Sequence, residues 1–282
     1  MAFKIAFCAG HYKYTAGKRI PKQLDPNETR EWVINDRVAD HFACAALEYE
    51  GVEILRTDDS TGENFVDIPE RTAAANKWEA DLYIDMHHNA GINGGAGGGV
   101  CAFSYPGSAK GREYRDSIYA AVIAAGGLKG NRAQPLQEKK FDSLRYSHMP
   151  AVLMEYGFMD SKTDAPVILT DDYAKLVAYA TMEGIAKVAG LIKKKQEPVR
   201  PEQTTKGDYT MEMRKLKKGC KGEDVRALQI LLMGRGYSVG IDGADGVFGD
   251  NTKAAVRAYQ KAKGLEKDGI AGKNTMGSLL GV

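Results

Sequence analysis

Of the five histidines in this 282-residue chain, three stand where a β-sheet would aim them at one cleft. His11 ends the run Cys8-Ala9-Gly10-His11, where Gly10 lets the backbone turn sharply. His87 and His88 follow Tyr83-Ile84-Asp85-Met86 and precede Asn89-Ala90. Open α/β sheets hold ligands at their strand ends, and side chains alternate along a strand, so one of that adjacent pair faces the cleft. Two imidazoles with one carboxylate make a zinc site whose fourth position is open to water or substrate. The stretch Asp25-Pro26-Asn27-Glu28-Thr29-Arg30-Glu31-Trp32 offers Glu28 and Glu31 as the acid. Asp25 as N-cap, Pro26 at N1 and Glu28 at N3 form a capping box that occupies Glu28. Glu31 is left free, one turn before Asn35, which could support it from the same helix face. Glu155 lies in the apolar run Ala151-Val152-Leu153-Met154-Glu155-Tyr156-Gly157-Phe158, where an unpaired charge is costly. It needs a cationic partner or an acidified water, beside which a carboxylate acts as general base and then acid.

The elements that must position these groups are readable as alternation. Phe3–Cys8, Val52–Arg56, Leu82–Met86, Gly99–Ser104 and Ala151–Tyr156 read as strands, and 28–49, 69–79, 108–126 and 171–190 as helices. The pattern predicts an α/β fold, a mixed twisted sheet flanked by helices on both faces. The segment Lys193 to Gly207 holds Pro198 and Pro201 and almost no apolar residue, which suits an exposed linker. The expected organisation is a catalytic domain over 1–191, a linker over 192–211 and a small domain over 212–282. In the last, Val225-Arg226-Ala227-Leu228-Gln229 recurs as Val256-Arg257-Ala258-Tyr259-Gln260, and Asp245-Gly246-Val247-Phe248-Gly249-Asp250-Asn251-Thr252 as Asp268-Gly269-Ile270-Ala271-Gly272-Lys273-Asn274-Thr275. Each Asp-Gly makes a turn, and the Asn or Thr after it can cap a helix, predicting a small all-α module of three short helices.

Composition narrows the class. No apolar run reaches the roughly 18 residues of a membrane helix, and the first ten residues read as a strand rather than a signal peptide. Cytoplasmic synthesis is therefore expected. Cys8, Cys44, Cys101 and Cys220 lack C-x-x-C spacing and read as buried small apolar residues. Residues 1–190 carry 21 Lys and Arg against 26 Asp and Glu, whereas 191–282 carry 18 against 11, so the tail favours an anionic surface, nucleic acid or cell wall. The glycine-rich Gly91–Gly99 lacks the G-K-[ST] ending of a phosphate loop and reads as a mobile loop beside the cleft. Asp242-Gly243-Ala244-Asp245-Gly246 lacks the ligand spacing of a calcium loop and reads as a turn. Arg132 suits either a substrate carboxylate or a surface ion pair.

Taken together, residues 1–190 resemble the zinc-dependent N-acetylmuramoyl-L-alanine amidase family of autolysins and phage endolysins. The resemblance is carried by Gly10-His11, Glu31-x-x-x-Asn35, Met86-His87-His88-Asn89-Ala90 against the family's S-[IL]-H-x-N-A, and Val152-Leu153-Met154-Glu155-x-Gly157-Phe158 against its V-L-x-E-x-G-F. Asp85 stands where the family usually has Ser, and the approach to His11 lacks the common D-P-G-H. Residues 212–282 resemble a three-helix peptidoglycan-binding module through Leu216-x-x-Gly219, Val225-x-x-Leu228-Gln229, Asp245-Gly246-x-Phe248-Gly249 and Asp268-Gly269-x-x-Gly272. These resemblances imply zinc on His11, Glu31 and His87, with Glu155 as the catalytic residue and His88, Asn89 and Arg132 facing substrate. They also imply hydrolysis of the amide between N-acetylmuramic acid and L-alanine in bacterial peptidoglycan. Nucleic acid and membrane are not expected as partners. With no signal peptide, an endolysin released through a holin is favoured over an exported autolysin, a spore or mother-cell lysis enzyme would look the same, and an inert wall-binding protein is the rival outside the enzyme class.

Overall fold

The computed structural model describes residues 2–194, 214–233, 235, 237–240 and 243–280. The chain divides into two compact units, Met1–Glu197 and Pro198–Val282. Residues 195–211 of the expected linker lie outside the described residues. Residues 192–194 are held against the first unit: Ile192 O accepts from Glu50 N at 2.9 Å and Lys194 N donates to Glu48 O at 2.7 Å.

The first unit runs β1 (Phe3–Ala9), α1 (Glu31–Ala46), β2 (Val52–Arg56), α2 (Ile68–Lys77), β3 (Leu82–Asn89), β4 (Cys101–Ser104), α3 (Ala109–Ala124), β5 (Leu136–Glu138), α4 (Asp142–Arg145), β6 (Ala151–Phe158), α5 (Ala165–Ile168) and α6 (Asp171–Ala189). The sheet order is β2-β1-β3-β6-β4-β5, parallel except where β6 meets β4. It is the mixed sheet with helices on both faces that the alternation implies. Alternate residues serve two cores. Ile5, Phe7, Ile84, Met86, Val152 and Met154 pack under α1, α3 and α6, and Ala6, Tyr83 and Leu153 pack with Ala75 of α2 and Leu144 of α4.

Helix ends follow local chemistry. The Thr170 side chain accepts from Tyr173 N, Asp171 and Asp172 sit in the first turn, and Gly190 closes α6 in the left-handed region at φ 68°. A Cβ on Gly184 would lie 2.5 Å from Ile118 Cα, so glycine is what lets α6 and α3 touch backbone to backbone. Three expectations are corrected. Helix α1 starts at Glu31 rather than 28, because Asp25 takes the Asn27 and Thr29 amides into a turn, Glu28 is left-handed at φ 48°, and its carboxylate lies 3.1 Å from Arg19. The capping box is therefore absent. The short β5, α4 and α5 carry too few residues to show a period. Cys44 is exposed and Cys220 half-buried, whereas Cys8 and Cys101 are buried.

The second unit contains three helices among its described residues, α7 (Glu223–Met233), α8 (Asp250–Ala262) and α9 (Lys273–Leu280). Leu216, Val225, Leu228, Leu232, Phe248, Val256, Tyr259, Met276 and Leu279 form its core. The sequence repeat becomes a repeated network. Gln229, 1% exposed, donates to Asp245 Oδ1, Val247 O and Thr252 Oγ1 at 2.7, 3.2 and 3.0 Å and accepts from Gly246 N at 2.8 Å. Gln260 repeats this with Asp268 Oδ1, Ile270 O, Thr275 Oγ1 and Gly269 N at 2.8, 3.0, 3.0 and 2.9 Å. The expected cap at the start of α8 is absent, since Gly249 holds the N-cap position without a side-chain bond and Thr252 serves the glutamine instead.

Candidate metal centre

The carboxyl ends of β1, β3 and β6 meet where the functional side chains gather. His11 follows β1 with φ 67°, a conformation rare outside glycine. Buried Arg71 of α2 clamps this turn by donating to Ala9 O at 2.8 Å and His11 O at 2.6 Å. A Cβ on Gly10 would fall 2.1 Å from His87 Cε1, so glycine there makes room for the His87 ring. The rings of His11 and His87 stand edge to face with centroids 4.9 Å apart. Glu31, fully buried at the start of α1, reaches both: Oε2 is 3.3 Å from His11 Nε2 and Oε1 is 3.1 Å from His87 Nδ1. One ligand atom from each of His11, Glu31 and His87 lies within 4.8 Å of the others.

Two buried atoms of this set, His11 Nε2 and Glu31 Oε2, have no hydrogen-bond partner. Buried polar groups normally find one, so unpaired atoms converging on a point mark a place for a cation. The donors, two imidazoles and a carboxylate, are a set that zinc accepts. Electrostatics agree. Burial would raise the Glu31 carboxyl, but His11 and His87 outweigh it and hold it well below the ordinary range. Burial likewise opposes charge on His87, and Asp85 and Glu31 outweigh it, holding its imidazolium well above the ordinary value. Lys18 reaches Glu31 Oε2 at 3.6 Å from the same side as His11. Asn35 supports Glu31 as expected, with Nδ2 donating to Oε1 at 3.5 Å and to Gly10 O at 3.1 Å.

Glu155 lies opposite His87 in the β3–β6 register. Its Oε2 is buried and without a partner, and burial pushes the carboxyl up to about 8 against the pull of the His87 charge. Arg132 stacks over Phe158 at 5.1 Å and, with Asn131, Ala133, Gln134 and Gln137, lines an open cavity of about 410 Å³. Asn89 ends β3, and its Oδ1 accepts from Ala90 N at 2.8 Å.

His88 does not face the site. Strand alternation turns its ring to the opposite face, where it is 2% exposed and bound through Nδ1 to Asn35 Oδ1 at 2.7 Å. Burial keeps it neutral, pushing it down to about 3. The expectation that it meets substrate is therefore corrected; only its backbone N–H reaches the cluster, donating to Glu31 Oε1 at 3.3 Å. The glycine-rich stretch is also tied down rather than left loose. Asp160 Oδ2 accepts from Gly91, Ile92 and Asn93 N at 2.7–2.9 Å, and Asp164 Oδ2 accepts from Gly99 N at 2.7 Å. Sequence reading missed Asp85, whose Oδ1 is 3.1 Å from His87 Nε2. The signal was present in the period of two, which puts 85 and 87 on one face. Lys18 had no such signal, because it sits in an irregular loop.

Comparison with known proteins agrees with this geometry. Residues 5–187 match the family model described as N-acetylmuramoyl-L-alanine amidase, and 221–279 match a peptidoglycan binding domain model. A sporulation-specific N-acetylmuramoyl-L-alanine amidase of Bacillus subtilis (strain 168) is 33% identical over 147 residues, which is 52% of this chain and 54% of that protein. An endolysin of Bacillus phage SPP1 is 32% identical over 149 residues, 51% of this chain and 52% of that protein. The chain thus spans about half the length of these curated relatives. The crystal structure of an N-acetylmuramoyl-L-alanine amidase from Clostridium difficile 630 superposes with a TM-score of 0.60 at 20% identity, covering 67% of this chain and 97% of that one, a likeness of fold.

Proposed function

From a chain that belongs to the N-acetylmuramoyl-L-alanine amidase family, we infer an enzyme that hydrolyses the amide joining N-acetylmuramic acid to L-alanine in bacterial peptidoglycan, using zinc. The observation that carries the reading is the convergence of His11, Glu31 and His87 within 4.8 Å, with two of their buried atoms, 3.3 Å apart, lacking a hydrogen bond. A zinc ion held by these three supplies Lewis acidity toward the scissile carbonyl and lowers the pKa of a water to near 7. Glu155 is the proton carrier. Its buried, unpartnered Oε2 takes a proton from the attacking water and returns it to the departing L-alanine nitrogen. A carboxyl poised at about 8 by burial holds a proton readily, which suits the second half of that exchange. Arg132, stacked over Phe158 on the lining of an open cavity, would meet a carboxylate of the peptide stem. Asn89 stands at the cleft end of β3 as a further polar contact. The second unit holds the chain on the wall, its balance of 18 cationic against 11 anionic residues over 191–282 adding attraction to anionic polymer. Among the described residues no helix is long and apolar enough to cross a membrane. As a protein of the endolysin kind it would meet its substrate after release from the cell.

The test is metal content by elemental analysis together with the masses of fragments released from defined peptidoglycan. One zinc per chain and products ending in free L-alanine amine support the reading. Metal-free protein at full turnover, or cleavage at a glycosidic bond, overturns it.

A further inference from the structure

The third carboxylate near the cluster belongs to none of the roles above. Asp85 sits in the middle of β3, in register with Cys8 of β1 and Leu153 of β6, so strands on both sides hold its backbone. Its Oδ1 is 3.1 Å from His87 Nε2, the ring nitrogen opposite the one that faces Glu31. The same Oδ1 accepts from Cys8 Sγ at 3.0 Å, and that sulfur lies 3.1 Å from the Tyr83 hydroxyl. Asp85 is 4% exposed, Cys8 and Tyr83 beside it are buried, and His87 is half-buried. An ionised carboxylate in such a place is expensive unless it meets a cation or a strong donor. The Cys8 thiol is a weak donor, and the His87 imidazole is the strong one the geometry provides.

We propose that Asp85 is a positioning residue for the metal: it accepts the Nε2–H of His87, which fixes the tautomer and the ring plane and leaves Nδ1 as the ligand atom. The assignment rests on the metal reading of the cluster and deepens it. The ring has two ways to present a nitrogen to the centre, and what the second nitrogen bonds to decides between them. On one side Gly10 lets the ring lie against the backbone, where a Cβ would stand 2.1 Å from Cε1. On the other, Asp85 holds Nε2. With both in place the ring has one orientation, and Nδ1 points to Glu31.

The assignment is tested by the zinc dissociation constant of wild type and Asp85→Ala, measured by competition with a chromophoric chelator, alongside the unfolding midpoint of each metal-free protein. Loss of an orienting partner should weaken zinc binding about 10–100-fold. A purely structural aspartate would lower the unfolding midpoint and leave zinc affinity unchanged, and unchanged affinity overturns the proposal. Nitrogen-15 imidazole shifts of His87 in the zinc-loaded wild type decide the matter without any variant. Metal on Nδ1 with a proton on Nε2 is expected, and the reverse assignment overturns it. Wild type that takes up no zinc overturns the metal reading itself. Wild type that takes up zinc while Asp85→Ala binds it equally well overturns only the role of Asp85.

Discussion

The two units treat buried polar side chains in opposite ways. In the second, Gln229 and Gln260 are each 1% exposed, and both the amide nitrogen and the oxygen of each are bonded, to matching partners in the two halves of the repeat. In the first, His11 Nε2, Glu31 Oε2 and Glu155 Oε2 are buried without a hydrogen-bond partner, as are Trp32 Nε1, His88 Nε2 and Asp160 Oδ1 away from the metal centre. A polar group whose job is to hold a fold is satisfied within the fold, because each unmet bond costs about 1–3 kcal/mol. A group whose job is to hold something else must be left short by the protein that carries it. A missing partner marks a site where ligand atoms also converge, as they do within 4.8 Å at His11, Glu31 and His87.

Breaking the contrast on the side of the first unit should have the largest effect. Glu155→Ala is expected to keep its zinc and lose about 10²–10⁴-fold in kcat/KM on released muropeptides, the usual worth of a general acid–base; a variant within threefold of wild type removes Glu155 from the mechanism. The same residue should cost stability. Its folded value, raised to about 8 by burial, lies above the roughly 4.3 of an unfolded glutamate. The folded state therefore prefers the protonated form, so the Glu155 contribution to the metal-free protein is most favourable below about pH 4, falls as pH rises toward 8, and levels off beyond. Metal-free Glu155→Gln, which cannot ionise, should gain on wild type by up to about 3–4 kcal/mol between pH 5 and pH 8, at about 1.4 kcal/mol per unit. Chemical denaturation at the two pH values reads this directly, and parallel curves would show that the carboxyl is not strained.

In the second unit the expected loss is smaller and falls on stability alone. Gln229→Leu should destabilise by about 2–3 kcal/mol, leaving Gly246 N without its acceptor. Hydrogen exchange at the Gly246 amide in the full chain would report it. Gln260→Leu should do the same at Gly269. If only one of the two responds, the halves of the repeat are not energetically alike. Neither change should alter zinc content.

Much of this was open to reading before any coordinates. Strand positions followed from apolar runs, and α6 was expected over 171–190 from its amphipathic pattern. Glu155 was legible as a carboxylate misplaced in an apolar strand, and His11 and His87 as polar groups at strand ends. Where local chemistry was ambiguous, reading failed. Asp25-Pro26-Asn27-Glu28 satisfies a capping box on paper, yet Asp25 spends its oxygens on Asn27 and Thr29 instead. A helix cap and a tight turn use the same residue types for the same reason, an oxygen near unpaired amides, and only the chain's return to pair Arg19 with Arg30 selects the turn.

Residue type and period alone determined which side chains could share a face: 85 with 87, 152 with 154, Gln229 with its repeat at Gln260. Those relations are local, set by a strand's alternation or by a copied segment. Only the tertiary structure decided that Glu31 reaches both imidazoles, that His88 turns to Asn35, and that Asp85 meets the far nitrogen of His87. These contacts join residues 20 to 56 positions apart or depend on ring orientation, and such distances are set by how strands order in a sheet and how α1 crosses it, which no short window of sequence contains.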